Sequence, residues 1–103
     1  MMNKADYEKR SRIIKALGHP SRLMMVDALA KGEICVCDLQ AIVGSDMSTI
    51  SKHLSVLKAA GLVIDRKQGL QVFYRLRVPC ITQFFGCVEA VLDADRAEMA
   101  CAA

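Results

Sequence analysis

Nowhere in its 103 residues does the chain hold a run of 18 or more apolar side chains, so no bilayer-spanning helix is predicted. The opening Met1-Met2-Asn3-Lys4 does not resemble a secretory signal either, and the chain reads as cytoplasmic with no membrane partner. Paired carboxylates, a phosphate-binding glycine loop and a nucleophile–base set are all missing, and the length leaves no room for a separate catalytic domain. An enzyme is therefore not expected. Repeats and low-complexity linkers are absent too, so residues 1–103 read as one domain. Residues 1–34 contain no cysteine and no histidine follows His53, two gaps that constrain any metal site.

What is present is apolar material for one core, at 53% hydrophobic residues, and five cysteines. An odd number, with Cys35 and Cys37 separated by a single residue, suits neither a disulfide framework nor a secreted scaffold. Thiols free to ligate or react are expected. The net charge is only +3, but it is unevenly spread. Between Ser48 and Arg77 stand Lys52, Lys58, Arg66, Lys67, Arg75 and Arg77 against Asp65 alone, whereas beyond Val78 the acids Glu89, Asp93, Asp95 and Glu98 outweigh Arg96. One end of the fold favours phosphate and the other does not.

The apolar spacing predicts a first helix over 4–17, stopped by Gly18, and a second that restarts at Pro20 and ends near Gly32. Leu23, Met24, Val26, Ala28 and Leu29 make the second helix largely buried. A short third helix covers 35–43, with Val36, Leu39, Ile42 and Val43 facing inward, and Gly44-Ser45 closes it. Asp46 is a suitable N-cap for a fourth, 47–60, with Ile50, Leu54 and Leu57 as its apolar stripe. The third and fourth helices fit a helix-turn-helix, whose second member enters the DNA major groove. Leu62-Val63-Ile64 and Val72-Phe73-Tyr74 read as strands flanking a loop, Arg66-Lys67-Gln68-Gly69, which adds a two-stranded wing. Pro79 ends the wing, and a fifth helix over 80–94 carries Ile81, Phe84, Phe85, Val88, Val91 and Leu92. That is more apolar surface than a terminal helix of a small domain can bury alone, so it is expected to pack against its copy in a homodimer. From Arg96 a frayed tail is expected. The predicted fold class is thus mainly α with a small β-hairpin: a winged helix-turn-helix of five helices and a two-stranded wing, dimerised through N- and C-terminal helices.

Gly18-His19-Pro20-Ser21-Arg22-Leu23, Glu33-Ile34-Cys35-Val36-Cys37-Asp38-Leu39, Ser51-Lys52-His53-Leu54 and Gly61-Leu62-Val63 with the following wing resemble the ArsR/SmtB family of metal-responsive repressors, over about residues 8–78. The resemblance implies a homodimer that occupies double-stranded operator DNA when empty and leaves it when ligand binds. In the arsenic- and cadmium-sensing branches a Cys-Val-Cys pair opens the third helix, matching Cys35 and Cys37. The third arsenic-site cysteine of well-known members falls at Gln40 here, the cysteine-free residues 1–34 lack the cadmium sensors' N-terminal ligands, and a zinc site on the final helix lacks its histidine.

Ser48, Thr49, Ser51, Lys52 and His53 lie opposite the apolar stripe of the fourth helix, where they can reach base edges and phosphates; the alternative is an ordinary solvated face. Arg66, Lys67 and Gln68 would meet phosphate or the minor groove, although any hairpin tip tends to be polar. Thiolates select soft ions: As(III) or Sb(III) as inducer, with Cd(II), Pb(II), Cu(I) and Zn(II) as further candidates. Side chains at i and i+2 of a regular helix do not face each other, so Cys35 and Cys37 can share one ion only if Cys35 stands at the unwound helix start or the first turn distorts. Buried cysteines that merely pack are the duller reading. Cys80 and Cys87, seven residues apart on one helix, have Cα atoms about 10 Å apart, too far to share an ion on a straight helix. Either, or Cys101 from the tail, could complete a site with Cys35 and Cys37. The alternative function keeps the repressor and makes the cysteines a thiol redox or persulfide switch. A third reading, a pure protein-interaction module, would show no operator protection.

Overall fold

The computed structural model describes residues 1–102, with side chains as far as Met99. Among these residues the order is α1 (Lys4–Leu17), α2 (Pro20–Leu29), β1 (Ile34–Cys35), α3 (Val36–Val43), α4 (Met47–Ala59), β2 (Val63–Gln68), β3 (Gln71–Leu76) and α5 (Ile81–Ala102). This is the expected winged helix-turn-helix, with one strand more than the sequence reading supplied.

Each helix start has a local cause. At α1 a capping box forms: the Asp6 N–H donates to Asn3 Oδ1 at 3.1 Å and the Asn3 N–H to Asp6 Oδ2 at 3.0 Å. Pro20 fills the first position of α2, while the Ser21 N–H donates to His19 Nδ1 at 3.0 Å. Gly44 ends α3 with φ +82°, a left-handed conformation that glycine adopts without Cβ strain. Two residues later Asp46 Oδ1 accepts the Thr49 N–H at 2.7 Å and starts α4.

The core is built from α1, α2, α3, α4 and the base of the wing. Met25, Val26, Leu39, Ile50, Leu54 and Leu57 are fully enclosed, and Ala16, Leu17, Leu29, Leu62, Val63 and Leu76 close around them. The α4 stripe is buried as its spacing predicts. Elsewhere the sequence overstates burial: of the four α3 residues expected inward only Leu39 is buried, and Ile42 is 46% exposed. A helix of eight residues has two turns: Leu39 is fully buried, Val36 and Val43 pack against the core while partly exposed, and Ile42 turns outward. In α2, Leu23 and Met24 are exposed and Met25 takes the interior place.

The strands form an antiparallel sheet in the order β1-β3-β2. Val63 pairs with Leu76 at one end and Gln68 with Gln71 at the other, so Arg66, Lys67 and Gln68 belong to β2 rather than to a loop. Gly69 and Leu70 suffice for the turn. Gly69 has φ +62° and among the described residues no non-glycine residue has positive φ, which fits a type II′ turn, a two-residue connection that matches strand twist. The extra strand, β1, places Ile34 opposite Tyr74 and Cys35 opposite Phe73.

The last helix also departs from expectation. It continues through the acidic segment to Ala102 instead of fraying at Arg96, because Ala, Glu and Met sustain a helix at little cost. None of its described residues is buried. Phe84, Val88, Val91 and Leu92 are between 42% and 61% exposed, and on α1 Tyr7, Ile13 and Ile14 are also open.

Candidate functional site

Burial of Ile50, Leu54 and Leu57 fixes the rotation of α4, and its opposite face follows from that. Ser48, Ser51 and Lys52 are exposed and Thr49 is half-buried beside its cap, a row of small hydroxyls with one cation at the N-terminal end of the helix. His53 differs from the rest of the row. It is half-buried, its Nδ1 lies 3.1 Å from an Arg22 guanidinium nitrogen, and its ring centroid is 4.3 Å from that of His19. Arg22 also donates to the Ala16 carbonyl at the end of α1. Burial, then the neighbouring His19 and Arg22, hold the His53 pKa below the usual histidine range, so the ring is kept neutral and Nδ1 can accept from Arg22. The sequence groups His53 with the outward residues; the structure turns its Nδ1 inward, as a tie between α4 and the α1–α2 corner.

The basic stretch is also less free than its composition suggests. Lys58 pairs with Asp65 at 3.0 Å. The Arg66 guanidinium donates from Nε to both Glu33 carboxylate oxygens at 2.9 Å and from Nη1 to Gln68 Oε1 at 2.8 Å, and it stacks 4.7 Å from the Phe73 ring centroid. Its hydrogen bonds hold the Glu33 carboxyl below the usual carboxylate range. Thus Arg66 clasps the segment before β1 to the wing while its side chain stays half exposed. Lys67, opposite Val72 in register, is exposed near the tip, and Leu70 protrudes fully.

Cys35 and Cys37 stand where strand becomes helix. Cys35 ends β1 in an extended conformation, φ −76° and ψ 155°, and is the N-cap residue of α3; Cys37 is exposed in the first turn. The pair therefore satisfies the first of the two geometric conditions for sharing an ion, an unwound helix start. Both residues border a groove of about 360 Å³ whose other walls come from α4, through Met47, Ser51, Leu54 and Ser55, and from the wing, through Leu70, Gln71, Val72 and Tyr74. Sequence reasoning placed the thiols near α4 but had no signal for the wing as a third wall, since β1 is only two residues long.

Cys80 lies just before α5 and Cys87 on it, both exposed thiols. Among the described residues no group of three or more Cys, His, Asp or Glu side chains is placed to hold a metal ion. A three-ligand set inside one chain, with Cys80 or Cys87 joining Cys35 and Cys37, is therefore not formed there. The side chain of Cys101 lies outside the described residues.

The fold and the exposed N-terminal face of α4 define a winged helix-turn-helix regulator. More narrowly, the chain belongs to the ArsR family: the profile described as "Bacterial regulatory protein, arsR family" matches residues 19–65, from the α2 cap into β2. Its relatives are DNA-binding transcriptional regulators, not enzymes. The chain is 40% identical over 79 residues to the biofilm growth-associated repressor of Xylella fastidiosa, a match covering 73% of this chain and 69% of that one. It is 44% identical over 66 residues to the arsenical resistance operon repressor of Escherichia coli, covering 63% of this chain and 56% of that one. Among solved structures, the homodimeric winged helix-turn-helix DNA-binding domain from Mycobacterium bovis superposes with a TM-score of 0.77 at 32% identity, covering 91% of this chain and 87% of that one. No helix among the described residues is long and apolar enough to cross a membrane.

Proposed function

We propose that the protein is a homodimeric, cytoplasmic repressor that holds operator DNA when empty and releases it when a thiophilic metalloid or metal engages Cys35 and Cys37. The observation that carries this reading is the shared groove: the thiols border the same cavity as α4 and β3, the two elements that would face a duplex. Ser48, Thr49, Ser51 and Lys52 would read the major groove, with Lys67 and Gln68 at the wing and Arg66 and His53 holding these elements in position. The open α1 and α5 faces would meet their copies across a two-fold axis, as the homodimeric relative supports.

The donor set fits a soft ligand, with As(III) or Sb(III) as the preferred inducer, and Cd(II), Pb(II) or Zn(II) as further candidates. Such a ligand supplies sulfur-seeking bonds that hard cations do not form. The chain's own response follows from where Cys35 sits. Its extended backbone pairs with Phe73, and the preceding Glu33 is bound to Arg66, so drawing the two thiols together bends the segment that joins α3 to the wing. The wing and α4 then lose their common aim, and the two recognition helices of the dimer lose half-site spacing. Cys80, Cys87 or Cys101, from either protomer, are candidates for an additional thiolate.

The test is binding of the reduced dimer to a labelled DNA fragment from upstream of its own gene, followed by fluorescence anisotropy. Addition of arsenite should weaken binding by roughly 5- to 150-fold, the range typical of allosteric coupling. The double variant Cys35→Ser, Cys37→Ser should bind DNA normally and ignore arsenite. Release of that variant by arsenite as for the wild type would refute the assignment, and release by oxidant alone, never by arsenite under reductant, would transfer the switch to thiol redox chemistry.

A further inference from the structure

We propose that Leu70, at the tip of the wing, is an apolar wedge that enters the DNA minor groove, partly unstacks one base step and makes the protein select duplexes by their deformability at that step. This rests on the DNA-binding reading above and adds a contact to it. Leu70 has 105% relative exposure, and apart from Met1 and Met99 near the chain ends no other large apolar side chain among the described residues exceeds 61%. Neither the core nor the turn calls for a leucine there. It has no place in the buried cluster, and the residue after glycine in a two-residue hairpin loop is ordinarily Asn, Asp or Ser. A leucine held in water gains only when something else covers it.

A lone apolar side chain on a surface is ordinary, and it is the place of this one that gives it meaning. Strands β2 and β3 stay paired from Val63–Leu76, both buried, to Gln68–Gln71, so an arm about 17 Å long carries the turn away from the core. The clasp between Arg66 and Glu33 stiffens that arm. Around the tip Lys67, Gln68 and Gln71 are exposed, and residues 66–77 contain no acid. The cation suits a phosphate. Gln68 Oε1 already accepts from Arg66, which leaves its amide N–H groups, with those of Gln71, to donate to the acceptors that A·T pairs show in the minor groove. Between these polar anchors a leucine meets the edge of a base step. Two opposed magnitudes decide what it does there. Burial of a leucine side chain is worth roughly 10- to 150-fold in affinity, and unstacking one step opposes binding by a similar factor. The two nearly cancel on an average step. On a pyrimidine–purine step such as TpA, which unstacks easily, burial wins, and on a stiff A-tract it loses. Leu70 therefore sets preference among sequences more than overall strength.

The probe is a duplex from upstream of the protein's own gene, bound by the reduced full-length protein. Hydroxyl-radical footprinting locates the minor-groove step under each wing, and 2-aminopurine placed in turn at that step and its neighbours reports unstacking by its fluorescence. A fluorescence rise confined to that step is expected, with a bend of at least about 20° in energy transfer between the duplex ends. Duplexes with TpA at the step should bind at least about fivefold more tightly than duplexes with an A-tract there. Leu70→Ser keeps a residue suited to the turn, so the wing persists; the fluorescence rise and the TpA preference should both vanish while affinity for the original duplex changes by less than about tenfold. Leu70→Met, apolar and of similar size, should retain both. A footprint that leaves the wing off the DNA, no fluorescence rise under a bound wing, or a preference unmoved by Leu70→Ser would overturn the wedge. An equal loss of affinity on every duplex would overturn it too, since that marks an ordinary contact. If the wild type protects no duplex at all, the DNA-binding reading itself falls.

Discussion

Helices α4 and α5 are both amphipathic in sequence, yet they end in opposite situations. In α4 the stripe Ile50, Leu54 and Leu57 is buried by the rest of the chain, and only Met47 and Val56 stand off it as exposed large apolar residues. In α5 the apolar residues are spread over Phe84, Phe85, Val88, Val91 and Leu92, and none is buried. A narrow stripe matched by its own core positions a helix within one molecule, whereas a broad apolar face left open calls for a second. In the proposed repressor the first helix would read DNA and the second would pair with its copy.

The difference can be broken most forcefully in the core. Leu57→Ala removes a fully enclosed side chain under α4 and should cost about 2–5 kcal/mol, measured by urea unfolding, with loss of DNA binding in proportion. On α5 a substitution should act on assembly instead. Val88→Asp is expected to weaken self-association by at least about tenfold in sedimentation analysis while the helical signal of each chain persists. Retention of a tight dimer by that variant would remove the contrast.

Smaller effects sharpen the picture of how α4 is held. His53→Ala deletes the acceptor for Arg22 and should cost about 1 kcal/mol. The pH dependence has a definite sign: the folded pKa lies below the ordinary 6.5, so the unfolded chain binds a proton first. Stability from this tie is complete above pH 6.5 and is lost as pH falls from there through the folded pKa. His19 and Arg22 face the ring and oppose its protonation, so the slope should flatten in His53→Ala. Smallest of all, Glu33→Gln should leave the unfolding midpoint nearly unchanged, because the pair with Arg66 is solvent-exposed. Amide exchange at Ile34 and Cys35 should nevertheless quicken, since β1 loses its clasp.

Much of the architecture was legible in the residues. The cap at Asp46, the proline at the first position of α2, the α4 stripe and the glycine at the wing each have a local cause, and each stands where the chain places it. Features that depend on distant partners were not legible. Arg66, Lys67 and Gln68 look like a polar loop until their pairing with β3 is seen, and nothing near Glu33 announces a partner 33 residues away. Strand β1 is too short to have a period. His53 reads as one more exposed polar residue because its tie to Arg22 spans 31 residues. For the thiols, spacing identified the pair and the need for an unwound helix start, while the wing as the far wall of the groove emerged only in three dimensions.

Hydrogen–deuterium exchange on the reduced dimer, with and without a stoichiometric thiol-binding arsenical, asks most directly whether ligand at Cys35 and Cys37 moves the DNA-reading elements. Altered exchange is expected together at residues 34–37, along 71–74 of the wing and in the first turn of α4, all of it absent from the Cys35→Ser, Cys37→Ser variant. Changes confined to α5, or thiols that are occupied while 71–74 and α4 keep their exchange rates, would contradict the coupling.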